Sequence, residues 1–291
     1  MLNSSAYTDT NYVFITEVFM LIKKERFHFA QEEEGQLMVD VTDRVNNRPI
    51  DGASVSISYV GDPQDTLEQL TTDSNGMTEE IDLAAPPRSY SEYPLSDVQP
   101  YSEYNLIITA PGYEPTTISG SEIFSGELSI QPVRLNPVLP NASASVINIP
   151  ANTLWGVFPP KIPEDEIKPV RSSGEIVLSR VVIPEYVVVH DGVPSDSSAT
   201  DYYVRYADYI KNVASSEIYS TWPEATLRAN ITAIMSFTLN RVYTEWYRNK
   251  GYDFTITTST AYDHKWVYGR NIFDSISRIV DEIFASYVSR P

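Results

Sequence analysis

The sequence predicts a multidomain α+β protein, in which an N-terminal all-β sandwich precedes an α+β domain with a long central helix. Short alternating apolar segments separated by turn residues fill residues 35–136 and predict the sandwich. Prolines recur through residues 137–182 and predict an extended connector. Longer segments with helical periodicity follow in residues 183–291. Residues 1–34 form an N-terminal extension to which no fold is assigned.

Three landmarks organise the predicted sandwich. Pro49-Ile50-Asp51-Gly52-Ala53 leads into a strand in which Val55 and Ile57 alternate with polar residues. Thr72-Asp73-Ser74-Asn75-Gly76 is a turn, and the strand at residues 104–110 runs into Pro111-Gly112-Tyr113. This order resembles the carboxypeptidase regulatory-like, transthyretin-like β-sandwiches. The resemblance implies a rigid spacer or adhesive module rather than a catalytic one.

A proline- and tyrosine-rich insertion at residues 86–101 interrupts the predicted strands. It carries Tyr90, Tyr93 and Tyr101. Loops of this length are uncommon in compact domains and are often functional. A carbohydrate-contacting loop and an ordinary surface insertion both fit the sequence, and the second is favoured.

The last domain begins with an apolar strand at residues 183–190 and continues with a helix at residues 204–215. The pair Thr221 and Glu224 forms a capping-box pattern with Pro223 in the first turn, which predicts a long helix over residues 221–249 closed by Gly251. A strand at residues 254–258 and a helix at residues 272–288 complete the predicted domain.

Composition excludes several classes of function. The net charge of −18 and the pI near 4.5 leave no basic surface for nucleic acid or anionic lipid. The 20 Tyr and 4 Trp suit a neutral glycan, which is bound through stacking and hydrogen bonds. Absence of cysteine excludes disulfides and thiolate chemistry. The apolar segment at residues 12–22 is too short to span a bilayer and makes a poor signal peptide, so no membrane insertion is expected.

Glu217 is the candidate catalytic residue. It lies just ahead of the predicted long helix, next to Tyr219 and Trp222. A carboxyl group held against aromatic surface tends to have a raised pKa, because desolvation disfavours its charged form. A general acid needs such an environment. The alternative is a solvated glutamate at a helix end.

The segment around Glu217 resembles the stage II sporulation protein D and amidase-enhancer LytB family. The residues that carry the resemblance are Tyr209-Ile210-Lys211-Asn212-Val213, Glu217-Ile218, Trp222-Pro223-Glu224-Ala225 and, later, Asp263-His264-Lys265-Trp266-Val267-Tyr268-Gly269. The family acts on bacterial peptidoglycan, and its sporulation members are lytic transglycosylases. The resemblance implies catalysis by Glu217 and substrate contacts from Trp222, Tyr219, Asp263, His264 and Tyr268.

This chain departs from the family pattern at three places. His264 replaces a common Gln, Met235 replaces a common Arg, and the later Ser-Gln-x-Gly motif is absent. We therefore expect an incomplete catalytic domain. Two functions stay open: a peptidoglycan-cleaving enzyme in sporulation, germination or envelope remodelling, and a non-catalytic wall-binding or structural protein.

The resemblance implies glycan strands as partner, cell-wall or spore-coat proteins as further candidate partners, and an extracytoplasmic location in the wall or spore envelope. A lytic transglycosylase needs one carboxyl group and no cofactor. The histidines His28, His190 and His264 lack metal-ligand spacing, so no metal is expected. A Gly-x-Ser-x-Gly elbow and a phosphate-binding glycine loop are both absent from the sequence.

Overall fold

The computed structural model describes residues 33–93, 96–139, 144–164 and 176–288, which are mostly β with some helix. Residues 1–32 of the predicted extension lie outside this description. The strands are β1 (Glu33–Asp43), β2 (Ser54–Tyr59), β3 (Asp62–Thr71), β4 (Ile81–Ala85), β5 (Ser102–Thr109), β6 (Thr116–Ile123), β7 (Leu128–Leu135), β8 (Ser145–Asn148), β9 (Tyr186–His190), β10 (Asp201–Arg205), β11 (Ile256–Thr257) and β12 (Ile272–Phe273). The helices are α1 (Ser89–Glu92), α2 (Tyr206–Glu217), α3 (Glu224–Tyr243) and α4 (Asp274–Ile283), with a 3₁₀ helix at Arg248–Lys250.

Two sheets share one hydrophobic core in the N-terminal part. The first has the strand order β12-β7-β1-β4 and the second the order β3-β2-β5-β6-β8. Alternate residues of β1 point inward, so that Leu37, Val39 and Val41 are fully buried. They belong to the same core as Val55 and Ile57 of β2, the two positions at which the sequence alternates.

The turn at residues 73–76 precedes β4 and requires glycine at position 76. Gly76 has a φ of +79°, and a Cβ there would lie 2.5 Å from the Val41 carbonyl oxygen. The Asp73 carboxylate accepts hydrogen bonds from the backbone N–H groups of Asn75 at 2.9 Å and Met77 at 3.0 Å. The side chain therefore holds the turn closed while the glycine lets it pass beside β1.

A second group of elements follows the sandwich in the chain. Strands β10, β9 and β11 form a three-stranded sheet, in which β10 is antiparallel and β11 parallel to the central β9. Helix α2 follows β10 directly and buries Tyr209, Ile210 and Val213. These side chains share a core with residues of α3 and α4.

The start of the central helix differs from the predicted one. Helix α3 begins at Glu224, with Pro223 at the N-cap position and no side-chain cap. The hydroxyl of Thr221 donates to Ser91 Oγ at 2.6 Å instead of capping the helix. A contact with a residue 130 positions earlier therefore overrides the local capping-box pattern.

The end of the central helix also differs. Helix α3 stops at Tyr243 rather than at residue 249, and Glu245 adopts a positive φ of 47° shortly afterwards. The 3₁₀ helix then follows, and Gly251, in the left-handed conformation, caps that short helix rather than α3.

The two predicted domains are joined by strand pairing. Strand β12 pairs antiparallel with β7 and so extends a sheet of the sandwich. Strand β8 lies inside the predicted connector and pairs parallel with β6. Tyr101 and Phe124 of the sandwich part belong to the core of α2, α3 and α4, and the Phe124 ring meets Phe273 edge-on at 5.2 Å.

A buried ion pair lies at this junction. Glu122 of β6 and Arg270, which precedes β12, bond to each other, and both side chains have no solvent exposure. Arg270 also donates to the Ser215 carbonyl at 2.9 Å and to the Pro150 carbonyl at 3.1 Å. The pair thus ties β6 to the last turn of α2, the helix that carries Glu217.

Among the described helices, none is both long and apolar enough to cross a bilayer.

Candidate functional site

Glu217 is the last residue of α2 and keeps a partly exposed carboxyl group. Its Oε1 accepts a hydrogen bond from the backbone N–H of Lys265 at 2.6 Å. Burial raises the pKa of Glu217 to about 7, against the lowering effects of that hydrogen bond and of the Lys161 and Lys265 charges. In the described part of the chain, no hydrogen bond reaches Oε2. One oxygen therefore orients the group and the other is left to carry a proton.

Two lysine ammonium groups act on this carboxyl, and one of them lies over a phenylalanine ring. Lys265 Nζ lies 5.4 Å from the centre of the Phe158 ring, and burial lowers the pKa of Lys265. Lys161 donates to the backbone carbonyl of Asp263. Both ammonium groups are close enough to favour the charged form of Glu217, yet desolvation outweighs them.

The segment at residues 152–164 lies across the end of α2. The Thr153 N–H donates to the Ser216 carbonyl at 2.9 Å, and the Ile162 N–H donates to the Ala261 carbonyl at 2.7 Å. This segment brings Phe158 and Lys161 to the site. It belongs to the range that the sequence predicts as a connector.

Asn212, five residues before Glu217 on α2, fixes the loop that faces the acid. Its amide nitrogen donates to the Val267 carbonyl at 2.8 Å, and its amide oxygen accepts the Val267 N–H at 2.8 Å. Together with the bond from Lys265 N–H to Glu217, these contacts hold residues 265–267 against α2. The loop is therefore positioned by two side chains of one helix.

Asp263 has a different role from the predicted substrate contact. Its carboxylate is fully buried and accepts from Arg241 Nε at 2.7 Å and from the Tyr247 hydroxyl at 2.6 Å. It also accepts the backbone N–H of Thr257 at 2.9 Å and its hydroxyl at 2.6 Å. A carboxylate enclosed in this way holds the fold and cannot touch a glycan without losing those partners. The predicted substrate contact from Asp263 would need these bonds to break.

His264 is a buried, neutral imidazole. Burial and the nearby Lys161 and Arg241 charges lower its pKa to about 3. The ring lies 4.6 Å from the Phe237 ring, and its Nδ1 is 3.3 Å from the Tyr209 hydroxyl. The predicted substrate contact from His264 would need this packed ring to become accessible.

Tyr219 and Trp222 point toward the sandwich. Tyr219 is buried and its ring lies 5.4 Å from Phe124. The indole N–H of Trp222 donates to the Ser91 carbonyl of α1 at 2.9 Å, and the ring keeps a partly exposed surface. Tyr219 therefore serves the core, whereas Trp222 packs against it and stays partly exposed. The carbonyl that accepts the indole N–H belongs to Ser91, within the insertion at residues 86–101.

Tyr268 lies in a separate aromatic cluster. Its ring stacks on Tyr202 at 5.1 Å and meets Trp266 at 6.4 Å, and Arg44 lies 5.6 Å above it. This cluster joins the end of β1 to β10. The structure thus brings Glu217 together with the 263–268 loop, whereas the indole of Trp222 bonds to Ser91 of α1.

Two of the cavities among the described residues are not lined by Glu217. One of about 140 Å³ is lined by Tyr186, Arg241 and Trp246 among others. The other, of about 240 Å³, is lined by Ser220, Trp222 and residues of α3 and α4. These two cavities are therefore separate from the acid.

No three His, Cys, Asp or Glu side chains of the described ranges are grouped to hold a metal ion. His190 binds Asp201 Oδ1 through Nδ1 at 2.7 Å and stacks on Phe254 at 4.3 Å.

Sequence reasoning missed four residues of the site: Phe158, Lys161, Asn212 and Lys265. Asn212 occurs within the segment that carries the family resemblance, so its spacing from Glu217 could have placed it on the same end of α2. Phe158 and Lys161 come from a proline-rich stretch that carries no pattern of its own. Only the folded chain brings that stretch to the acid.

No family model matches this chain, and no curated protein matches it. Solved structures give distant likenesses. The Bacillus anthracis TIE protein is 16% identical over 36% of this chain and 17% of its own length, with a TM-score of 0.25. The 3-chlorocatechol 1,2-dioxygenase of Rhodococcus opacus is 12% identical over 38% of this chain and 62% of its own, with a TM-score of 0.26.

A third likeness is to the 5-hydroxyisourate hydrolase of Klebsiella pneumoniae, which is 20% identical over 36% of this chain and 92% of its own, with a TM-score of 0.23. The chain spans less than two thirds of the length of the first two structures.

Proposed function

We propose that this chain acts on peptidoglycan glycan strands in the manner of a lytic transglycosylase, with Glu217 as the general acid and then the general base. The observation that carries the proposal is the state of Glu217. Its carboxyl is oriented by Lys265 N–H, has a pKa raised to about 7, and keeps one oxygen without a hydrogen-bond partner in the described chain. A poised carboxyl with an accessible oxygen can both give and take a proton near neutral pH.

The reaction needs no second carboxyl group. Protonated Glu217 gives its proton to the glycosidic oxygen as the bond from that oxygen to C1 breaks. The resulting carboxylate then removes the proton of the sugar's own C6 hydroxyl, whose oxygen bonds to C1. The product is a 1,6-anhydro sugar, and the enzyme regains its proton, so no water is consumed.

The surrounding charges suit the second half of this cycle. After proton transfer Glu217 is anionic, and the ammonium groups of Lys161 and Lys265 stabilise that charge. Before the transfer, burial favours the protonated acid. Activity is therefore expected to be greatest at mildly acidic pH and to fall as pH rises through about 7.

The test uses purified glycan strands incubated with the chain, with mass spectrometry to detect anhydromuramyl ends. Glu217→Gln keeps the size of the side chain and its bond to Lys265 N–H but removes the proton chemistry. Glu185→Gln is the matched control, because Glu185 is exposed. Turnover that survives in Glu217→Gln at the wild-type rate would overturn the assignment.

A non-catalytic, wall-binding or structural role is the second candidate. It is favoured by the enclosure of Asp263, a residue that the family resemblance assigns to the substrate. Binding of glycan strands without anhydromuramyl products, in a chain that melts cooperatively, would support this candidate over catalysis.

We also propose the two-domain division and the extracytoplasmic wall or spore-envelope location that the sequence suggests. Residues 35–136, expressed alone, should give a β-type circular dichroism spectrum and a cooperative melt. This fragment lacks β8 and β12, which pair with β6 and β7. A disordered fragment beside a folded full chain would show that the two parts fold only together.

A further inference from the structure

Asn212 is a buried amide within α2, five residues before Glu217. Its amide nitrogen donates to the Val267 carbonyl at 2.8 Å, and its amide oxygen accepts the Val267 N–H at 2.8 Å. Both ends of the amide are therefore used on the backbone of one residue, in a loop that lies 55 positions later in the chain.

The same loop carries the group that orients the acid. Lys265, two residues before Val267, donates its backbone N–H to Glu217 Oε1 at 2.6 Å. Because peptide planes are rigid, a displacement of Val267 also turns the N–H of Lys265. Asn212 and Glu217 therefore hold the two ends of a three-residue loop from one helix.

Two further backbone bonds of this loop are local. The Trp266 N–H donates to the His264 carbonyl at 3.2 Å, and the Arg270 N–H donates to the Val267 carbonyl at 3.3 Å. These bonds shape the loop and its flanks, but neither of them fixes the loop relative to α2. The side chain of Asn212 supplies that connection.

We propose that Asn212 is a positioning residue, which holds the Lys265 N–H on one oxygen of Glu217 and so leaves the other oxygen to exchange a proton. The proposal deepens the proposed acid–base role of Glu217 and rests on it for the effect on turnover. Asn212 acts through the loop, because its own polar atoms are used by Val267. An amide suits this task, since it donates and accepts at the same time.

The first variant is Asn212→Ala in the full chain, which removes both bonds to Val267. The amide proton signal of Lys265 should move upfield in NMR spectra, because its hydrogen bond to Glu217 loosens. The pKa of Glu217 should rise above about 7, since that bond is the first of the effects that lower it against burial. A carbon-13 titration of the carboxyl measures it, with Glu217→Gln to assign the signal. On glycan strands, kcat should fall ~10-fold with KM nearly unchanged, because the acid is misplaced.

The second variant, Asn212→Asp, is a pH-dependent rescue. A protonated carboxyl donates and accepts as the amide does, whereas a carboxylate only accepts. Burial raises the pKa of a carboxyl, so the introduced group should be protonated at about pH 5 and ionised at about pH 8. The Lys265 signal and kcat should match the wild type at the lower pH and resemble Asn212→Ala at the higher one. The groups that act on Glu217 from α2, the loop and the segment at residues 152–164 are Tyr209, Lys265 and Lys161, and all three are retained in each variant.

Thr238→Val is the matched control. Thr238 is fully buried, and its hydroxyl donates to the Ile234 carbonyl at 2.9 Å within α3. The variant loses a buried hydrogen bond and should melt earlier than the wild type. It should nevertheless keep the wild-type Lys265 signal, Glu217 pKa and kcat, because a loss of stability alone does not move the loop.

The outcomes separate this proposal from the proposed catalysis. A displaced Lys265 signal and a higher Glu217 pKa in Asn212→Ala support the positioning role, even where no anhydromuramyl product forms. An unchanged signal and pKa overturn it, even where the wild type cleaves glycan. A Glu217 pKa that falls toward 4.5 also overturns it, because the loop would then shield the acid rather than orient it. If Asn212→Ala does not fold, Asn212→Asp decides the matter: a Lys265 signal that matches the wild type at both pH values overturns the proposal.

Discussion

Glu217 and Glu122 are both enclosed glutamates, and burial raises the pKa of each to about 7. They differ in what their oxygens contact. Glu122 has no solvent exposure, bonds to Arg270 and accepts the Asn152 N–H at 3.0 Å. Glu217 is partly exposed and accepts one described hydrogen bond, from Lys265 N–H.

This difference teaches that a shifted pKa does not by itself identify a catalytic group. Glu122 is committed to joining β6 with the elements around α2, and no substrate can reach it. Glu217 has a similar proton affinity and an oxygen that solvent or substrate can approach. Accessibility together with a raised pKa, rather than the pKa alone, singles out Glu217.

The largest expected effect is on turnover. Glu217→Gln should lower the rate of glycan cleavage by ~10²–10⁴-fold, the usual contribution of a general acid–base group. Glu122→Gln should keep the rate per folded molecule, because Glu122 does not meet the substrate. The rates are measured by mass spectrometry of anhydromuramyl ends on samples matched for folded fraction. Equal losses in the two variants would remove the distinction between the two glutamates.

The next effect is on stability at the junction. Arg270→Met leaves Glu122 buried without its cation and should reduce the free energy of unfolding by ~3–5 kcal/mol. Urea unfolding followed by circular dichroism measures it. Arg278→Met is the comparison, since its side chain is 74% exposed and its loss should hardly change the midpoint. Similar midpoints for the two variants would show that the buried pair does not hold the junction.

Local sequence patterns predicted much of the fold. The alternation at Val55 and Ile57 identified core positions, and the Asp73 turn with Gly76 occurs where the spacing placed it. The bounds of α3 were wrong at both ends. At its start, Thr221 bonds to Ser91 rather than to the helix, and such a distant partner leaves no trace in the local pattern.

The site was less predictable than the fold. The sequence suggested an enclosed Glu217 but attributed the enclosure to Tyr219 and Trp222. Its hydrogen-bond partner is the backbone N–H of Lys265, 48 residues later. Asp263 was expected at the substrate, and its pairing with Arg241 was not predicted. A sequence shows that such residues are polar, but their burial and partners depend on how distant segments pack.

The pH dependence of stability gives a smaller effect. Burial raises the pKa of Glu217 from 4.5 to about 7, so the folded chain binds more protons than the unfolded one between those pH values. Stability should therefore fall as pH rises from about 4.5 to 7. Glu217→Gln removes this contribution. The difference in free energy of unfolding, variant minus wild type, should therefore be ~1–3 kcal/mol higher at pH 8 than at pH 4.5. Urea unfolding at both pH values tests it, and parallel profiles for the two proteins would contradict the raised pKa.

The smallest expected effect concerns the contact that joins the segment after Glu217 to the sandwich. Trp222→Phe keeps an aromatic ring beside Tyr219, whose ring lies 5.8 Å from that of Trp222, but removes the N–H that donates to the Ser91 carbonyl. The free energy of unfolding should fall by ~0.5–1.5 kcal/mol, because one partly buried hydrogen bond is lost. Tyr93→Phe, at a side chain that is 74% exposed on the same insertion, is the control and should unfold as the wild type. A loss of unfolding free energy as large as that of Arg270→Met would mean that Trp222 supports the junction mainly through packing. The buried ion pair and the Trp222 contact would then contribute equally to holding the two parts together.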